Sequence, residues 1–276
     1  MASVAAPAAG TDSSGPALGW WACGLREFRF WLTNYRRTWR GSIYSSVLNP
    51  VLYLGAMGLG LGTLVDQRGT AALGGVSYLA FIAPGLLAAA AMETGLSEST
   101  YPVMGSVKWR KTFYAAAATP LRPGDIFRGH LMFTTLRLLM NSTIFLIVMS
   151  AFGAVASPWA VATIPVGVLT GLAFATPVEA WAITLTKETM FAVLFRFGMI
   201  PLFLFSGTFF PLSQLPAWAR PIAYVTPLWH GVALARSLSL GHPTLAGTAV
   251  HAGYLAALAL VGLAVGSRTY RRRLYV

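Results

Sequence analysis

Four ionisable side chains, Glu93, Arg137, Glu179 and Arg196, stand inside stretches that are otherwise apolar for long enough to cross a bilayer. A charge in such a place is costly, and it marks one of a few chemistries: a proton relay, an ion pair between helices, or a contact with a charged group on a substrate. Hydrolytic and metal chemistry have little to draw on. The chain holds 8 acidic residues, 4 histidines and one cysteine, Cys23. It contains no His-Glu-x-x-His and no Gly-x-Ser-x-Gly. No catalytic residue and no metal ligand set is expected, and the scattered histidines read as separate structural residues. No glycine-rich loop ends in Gly-Lys, because the three lysines follow Val107, Arg110 and Thr186. Energy for any pumping must therefore come from another chain or from an ion gradient. The second option is that of an ion-coupled secondary transporter, in which buried carboxylates carry protons.

The elements that position these charges are membrane helices. With 56% hydrophobic and 10% charged residues and a mean hydropathy of +0.63, the 276-residue chain has too little polar surface for a soluble globule. Spanning the hydrocarbon takes roughly 20 apolar residues. Six stretches reach that length: Ile43–Val65, Tyr78–Thr100, His130–Phe152, Trp159–Thr184, Phe191–Phe210 and Gly247–Val265. The expected fold is an all-α polytopic membrane protein with six transmembrane helices, since backbone polar groups in lipid must pair within their own segment. Residues 1–17 read as a disordered tail rather than a signal peptide, and 41–276 as a single six-span domain.

Fifteen of the 20 basic residues fall on one side of such a bundle if both termini share it; Arg68, Arg220 and Arg236 fall on the other. The positive-inside rule then puts both termini in the cytoplasm of a bacterial cell membrane, and a net charge of +12 calls for no nucleic acid. The abundance of Arg over Lys, with much Ala and Gly, hints at a high-GC bacterial genome. Counting helical rise from Thr100, Arg128 and Lys187 puts Glu93 about 10 Å deep, Arg137 about 14 Å, Glu179 about 12 Å and Arg196 up to about 14 Å. Glu98, only about 3 Å in, reads as a snorkelling side chain and a poorer partner for a buried pair. His130, Thr134, Arg137 and Asn141 share a helix face, which turns Arg137 into the bundle. Two accounts fit the four charges: ion pairs holding the helices in register, or contacts with substrate headgroups arriving from the inner leaflet. Pro84-Gly85 and Pro177 add expected kinks.

Residues 18–40 form an amphipathic pattern, with Trp21, Leu25, Phe28, Leu32, Tyr35 and Trp39 on one face and arginines on the other. This suits a helix lying in the cytoplasmic headgroup layer, either a passive anchor or a lever beside a cytosolic partner. The loop 104–129 has content of its own. Phe113, Tyr114 and four alanines form a small apolar helix, ended by Thr119, Pro120 and Leu121. Such a helix at a membrane mouth suits either insertion into a groove of another protein or a second interfacial position. On the far side, the run Phe203–Pro216 ends its span in Ser206, Gly207 and Thr208, then Phe209, Phe210 and Pro211, and leads into an amphipathic stretch too polar to cross. Small residues there permit close helix approach, and an aromatic belt is the plainer account.

The segments "FIAPGLLAAAAMETGLSESTY", "ATPLRPGDI", "FLFSGTFFPLSQLP" and "TPLWHGVALARSLSLG", in this order, resemble the membrane permeases of the ABC type-2 exporters. The nearest branch is the nodulation-protein-J-like one that exports lipooligosaccharide. The resemblance covers roughly Arg26 to Val265. It implies a permease that pairs with a second copy of itself and with two copies of a cytosolic ATP-binding-cassette ATPase, which carries the ATP and Mg²⁺. It further implies that residues near Phe113–Pro120 form a coupling helix seated on that ATPase. Residues 206–242 would form short re-entrant helices and an external gate. The implied cargo is an amphipathic molecule, a lipid-linked glycan or a hydrophobic drug, moved outward.

Overall fold

The computed structural model describes residues 20–67 and 69–275, so the 1–17 tail and Arg68 lie outside the described residues. These form helices and turns, with no strand among the described residues. Helix α1, Trp20–Leu54, runs on through wide π turns at Gly55–Leu61 into a last α turn, Gly62–Gln67. The glycine-rich sequence there, Gly-Ala-Met-Gly-Leu-Gly-Leu, is a weak helix former and tolerates the change of winding. Helix α2, Tyr78–Ser99, starts at Ser77, whose hydroxyl accepts the Ala80 N–H. After a break at Thr100 come Tyr101–Met104 and a π turn, Gly105–Trp109. Lys111, left-handed at φ 52°, then turns the chain into the short α3, Thr112–Ala117.

Helix α4, Pro123–Ala151, has Pro123 in its first turn, where no N–H is missed, and the Asp125 carboxylate accepts the Arg122 backbone N–H at 3.1 Å. Helix α5 is Thr163–Ala182. Helix α6, Thr189–Phe205, is π-wound over Leu194–Met199. Two short helices follow, α7 at Arg220–Val225 and α8 at Pro227–Ser239, before the long α9, Leu245–Leu274. Thr226 and Pro227 start α8 as cap and first residue, the Thr226 hydroxyl accepting the Trp229 N–H.

The protein is an all-α, multi-pass membrane protein: five helices are long and apolar enough to cross a bilayer, and Thr189–Phe205 is a shorter apolar one. The expected fifth span, Phe191–Phe210, stops at Phe205 because Ser206 leaves helical geometry and Gly207 takes φ +79°. Helix α1 is continuous across residue 41, so residues 20–40 and the first apolar stretch share one helix. Its inward face carries Gly24, Glu27 and Trp31, while Leu25 and Trp39, which the amphipathic pattern groups with the apolar face, are exposed.

Helix α5 is the hub, packing against α2, α4, α8 and α9. Its approach to α2 is backbone-close at Gly95, where a Cβ would collide with the Gly171 carbonyl. By contrast, the C-terminal half of α1 and much of α6 present large apolar side chains outward, among them Tyr44, Leu48, Leu52, Phe197 and Phe205.

Candidate functional site

Arg137, halfway along α4, and Glu98, near the end of α2, form an ion pair, Nε to Oε1 at 3.0 Å, with side chains 14% and 17% exposed. The guanidinium also donates to the Tyr35 hydroxyl at 2.9 Å and lies over that ring, 4.8 Å from its centroid. This corrects the expectation that set Glu98 aside. Helices α2 and α4 run in opposite directions, and side chains lean toward the N-terminus of their own helix. Arg137 therefore leans back along α4 and Glu98 back along α2, which in antiparallel helices brings them toward each other, and the two close a gap that Cα depths alone leave wide.

The pair divides two cavities. One, of about 430 Å³, lies between α1, α2, α4 and α6 and is lined by Asn49, Glu93, Glu98, Arg137, Asn141 and Phe203, among others. The other, of about 230 Å³, lies beneath Tyr35 and Phe133, near Arg110, and shares Glu98 and Arg137 with the first. Asn141 donates to the Thr94 hydroxyl at 2.9 Å, which fixes the wall of the larger cavity. Glu93 is exposed on that wall. The site thus offers a cation, two carboxylates and two amides beside apolar helix faces, groups able to hydrogen-bond a polar head placed next to an apolar surface.

The remaining predicted charges go elsewhere. Glu179 is fully buried against His130 and Tyr270: Tyr270 donates its hydroxyl to Glu179 Oε1 at 2.8 Å, and His130 Nδ1 approaches the same oxygen at 2.9 Å. The second contact is electrostatic rather than an aligned hydrogen bond, since His130 Nδ1 has no partner of hydrogen-bonding geometry. The count of helical rise from Lys187 does not apply to Glu179, because α5 ends at Ala182 and the residues between it and Lys187 are not helical. Arg196 is exposed on α6, and among the described residues no ion pair joins it to Glu93 or Glu179. The four charges do not form one set.

The buried Glu179 contacts connect to α3. Phe113 is completely buried, with its ring 5.8 Å from Tyr270 and 6.4 Å from both Trp31 and His130. Trp31 in turn donates to Glu27 at 2.9 Å. Of the loop residues singled out from sequence, Phe113 is thus an inward anchor, whereas Tyr114, Thr119 and Pro120 are exposed and Leu121 is half-buried. Glu27 and Trp31 were missed; their i, i+4 spacing on α1 was the available signal.

At the other end of the bundle, Ser206, Gly207 and Thr208 are buried, and the Ser206 and Thr208 hydroxyls hydrogen-bond at 2.8 Å. A Cβ on Gly207 would stand 2.6 Å from Leu212 Cδ1. The Phe209 ring meets Phe203 edge-on at 4.9 Å, which ties this segment to the upper wall of the larger cavity, and Phe210 and Pro211 are half-buried. The expectation of separate histidines fails at His230 and His251, whose Nδ1 atoms lie 2.9 Å apart between α8 and α9. A separation of 21 residues across a turn hides that meeting in the sequence.

A model of the family described as "ABC-2 type transporter" matches residues 19–240. Among curated proteins the chain is similar to Nodulation protein J of Rhizobium leguminosarum bv. viciae, 32% identical over 257 residues, covering 92% of this chain and 96% of that protein. It is similar to Nodulation protein J of R. leguminosarum bv. trifolii at 30% identity, covering 96% and 97%. To that of Rhizobium meliloti (strain 1021) it is 29% identical, covering 94% and 96%. These matches extend over the cavity walls, the loop around α3 and the segment after α6.

Proposed function

We propose, from the premise that this chain belongs to the ABC-2 type transporter family and is the membrane permease subunit of an ATP-binding-cassette exporter, that the larger cavity receives the polar head of an amphipathic substrate. The Arg137–Glu98 pair is the threshold the head crosses from the cytoplasmic side. The observation that carries this reading is the meeting of two cavities with polar linings at one ion pair, among helices apolar enough to cross a bilayer. A lipid-linked glycan, or a hydrophobic drug with a polar end, has the right division of character. The resemblance to the branch that exports lipooligosaccharide favours a glycolipid of that kind.

In this reading Thr189–Phe205 is the fifth of six spans and both termini are cytoplasmic, in a bacterial inner membrane. Helices α7 and α8 dip into the outer leaflet as part of an external gate with residues 206–211. A second copy covers the exposed faces of α1 and α6. Asn49 and Glu93, polar and exposed in a single chain, support this, because neither is suited to contact lipid. Two copies of a cytosolic ATPase seat the exposed side of α3, with Tyr114, Thr119 and Pro120 at the contact and Leu121 at its edge. ATP binding there closes the ATPase pair, moves α3 and opens the outward path; hydrolysis resets it.

The test is reconstitution with the cognate ATPase and measurement of ATP hydrolysis against candidate amphipathic substrates. Arg137→Gln and Glu98→Gln are expected to lower substrate stimulation while the assembled complex survives, with partial recovery in the swap Arg137→Glu/Glu98→Arg. Full stimulation in both single variants would refute the threshold role.

A further inference from the structure

Arg236, on α8, has no carboxylate partner among the described residues. Its Nε donates to the Phe81 carbonyl on α2 at 3.0 Å, and its Nη2 donates to the Gly207 carbonyl at 2.8 Å and the Thr208 carbonyl at 3.4 Å. The guanidinium rests on the Phe81 ring, 3.8 Å from the centroid. One side chain therefore joins three elements. Among the described residues, the hydrogen bonds that tie residues 206–211 to another helix are those donated by Arg236; the Ser206 and Thr208 side-chain bonds stay within the segment and the end of α6.

A second observation points to the same place. A Cβ on Gly85 would lie 3.2 Å from Thr208 Cα and 3.3 Å from Arg236 Nη2. The absence of a side chain at the Pro84 bend of α2 is thus what lets Thr208 and the guanidinium sit against that helix. Cation-to-carbonyl bonds are strong enough to hold a segment, and they can be exchanged for water one at a time when it lifts. A carboxylate at this spot would bind the arginine more permanently.

We propose that Arg236 is the latch of the outer gate: its bonds to Gly207 and Thr208 hold residues 206–211 against α2 in the closed state and break when the gate opens, while Nε keeps α8 on Phe81. This rests on the reading of residues 206–211 as a gate. Arg236 acts through the segment it holds, so it is a positioning residue.

The experiment uses the full chain with its cognate ATPase in membrane vesicles, in a Cys23→Ser background carrying Ser206→Cys as a buried reporter. The rate of labelling by a membrane-impermeant maleimide from outside is measured with and without ATP. In the reporter chain, labelling should be slow without nucleotide and rise with ATP. Arg236→Gln should raise the nucleotide-free rate by roughly tenfold or more, as expected for the loss of charge-assisted bonds that favour one state. Arg236→Lys, which keeps the charge but cannot reach both elements at once, should recover part of the slow labelling. Gly85→Ala leaves Arg236 intact but wedges Thr208 away, and should also speed labelling; it carries the test if Arg236→Gln fails to assemble. ATP-responsive labelling that Arg236→Gln and Gly85→Ala leave unchanged would overturn the latch alone. Labelling that never responds to ATP in the reporter chain would overturn the gate reading, and the latch with it.

Discussion

At the scale of single residues, the molecule shows how strongly a charge in a membrane depends on what its helix direction lets it reach. Arg137 finds Glu98 because antiparallel helices lean their side chains toward each other, and no count of depth along the sequence contains that lean. Glu179 was legible as a buried group. Its partners, His130 and Tyr270, lie on two other helices, 49 residues before it and 91 after it. Tyr270→Phe removes the hydroxyl that Tyr270 donates to that carboxylate and is expected to cost about 1–3 kcal/mol, read as a lower melting temperature of the purified protein. An unchanged melting temperature would show that the carboxylate is satisfied otherwise. Gly207→Val places a branched side chain at φ +79° and against Leu212. Transport should fall sharply while co-purification with the ATPase stays at its usual level, because α3 lies at the opposite end of the bundle.

At the scale of elements, α3 has one buried face and one exposed face. Phe113 fills a pocket between α1, α4 and α9, and truncating a buried phenylalanine typically costs about 3–5 kcal/mol. Phe113→Ala should therefore destabilise the chain and weaken the coupling of ATP hydrolysis to transport. Tyr114→Ala, on the exposed face, should leave thermal stability unchanged and weaken retention of the ATPase in a pull-down. Equal loss of stability in both variants would contradict this division. The sequence marks the pair of aromatics plainly. Which ring turns inward depends on the bend at Lys111 and on the packing of α9 over the loop. Boundaries were readable where a capping signal and apolar length coincide, as at Ser77 and Tyr78 for α2. They were not where winding changes without a change in composition, as in the π-wound middle of α6.

At the scale of the whole molecule, the basic residues at the ends of α1 and α9 and around α3 set a strong polarity. A protease-cleavable tag appended after Val276 should be cut in inside-out vesicles and protected in right-side-out ones; the reverse pattern would invert the proposed route. What the sequence by itself determined is the class: an all-α membrane chain, its apolar segments, the lack of an ATP-binding loop, and a family visible in the order of its segments. Length, hydropathy and short motifs are one-dimensional properties, and they survive without knowledge of packing. The tertiary structure alone decided the pairings: Arg137 with Glu98, Phe113 against Tyr270, His230 with His251, and Arg236 across Phe81, Gly207 and Thr208. Each joins residues on different elements, so it depends on the rotation, tilt and relative height of neighbouring helices. Those are set by close packing over many contacts, such as Gly95 on Gly171 and Gly85 beneath Thr208, rather than by any short stretch of chain.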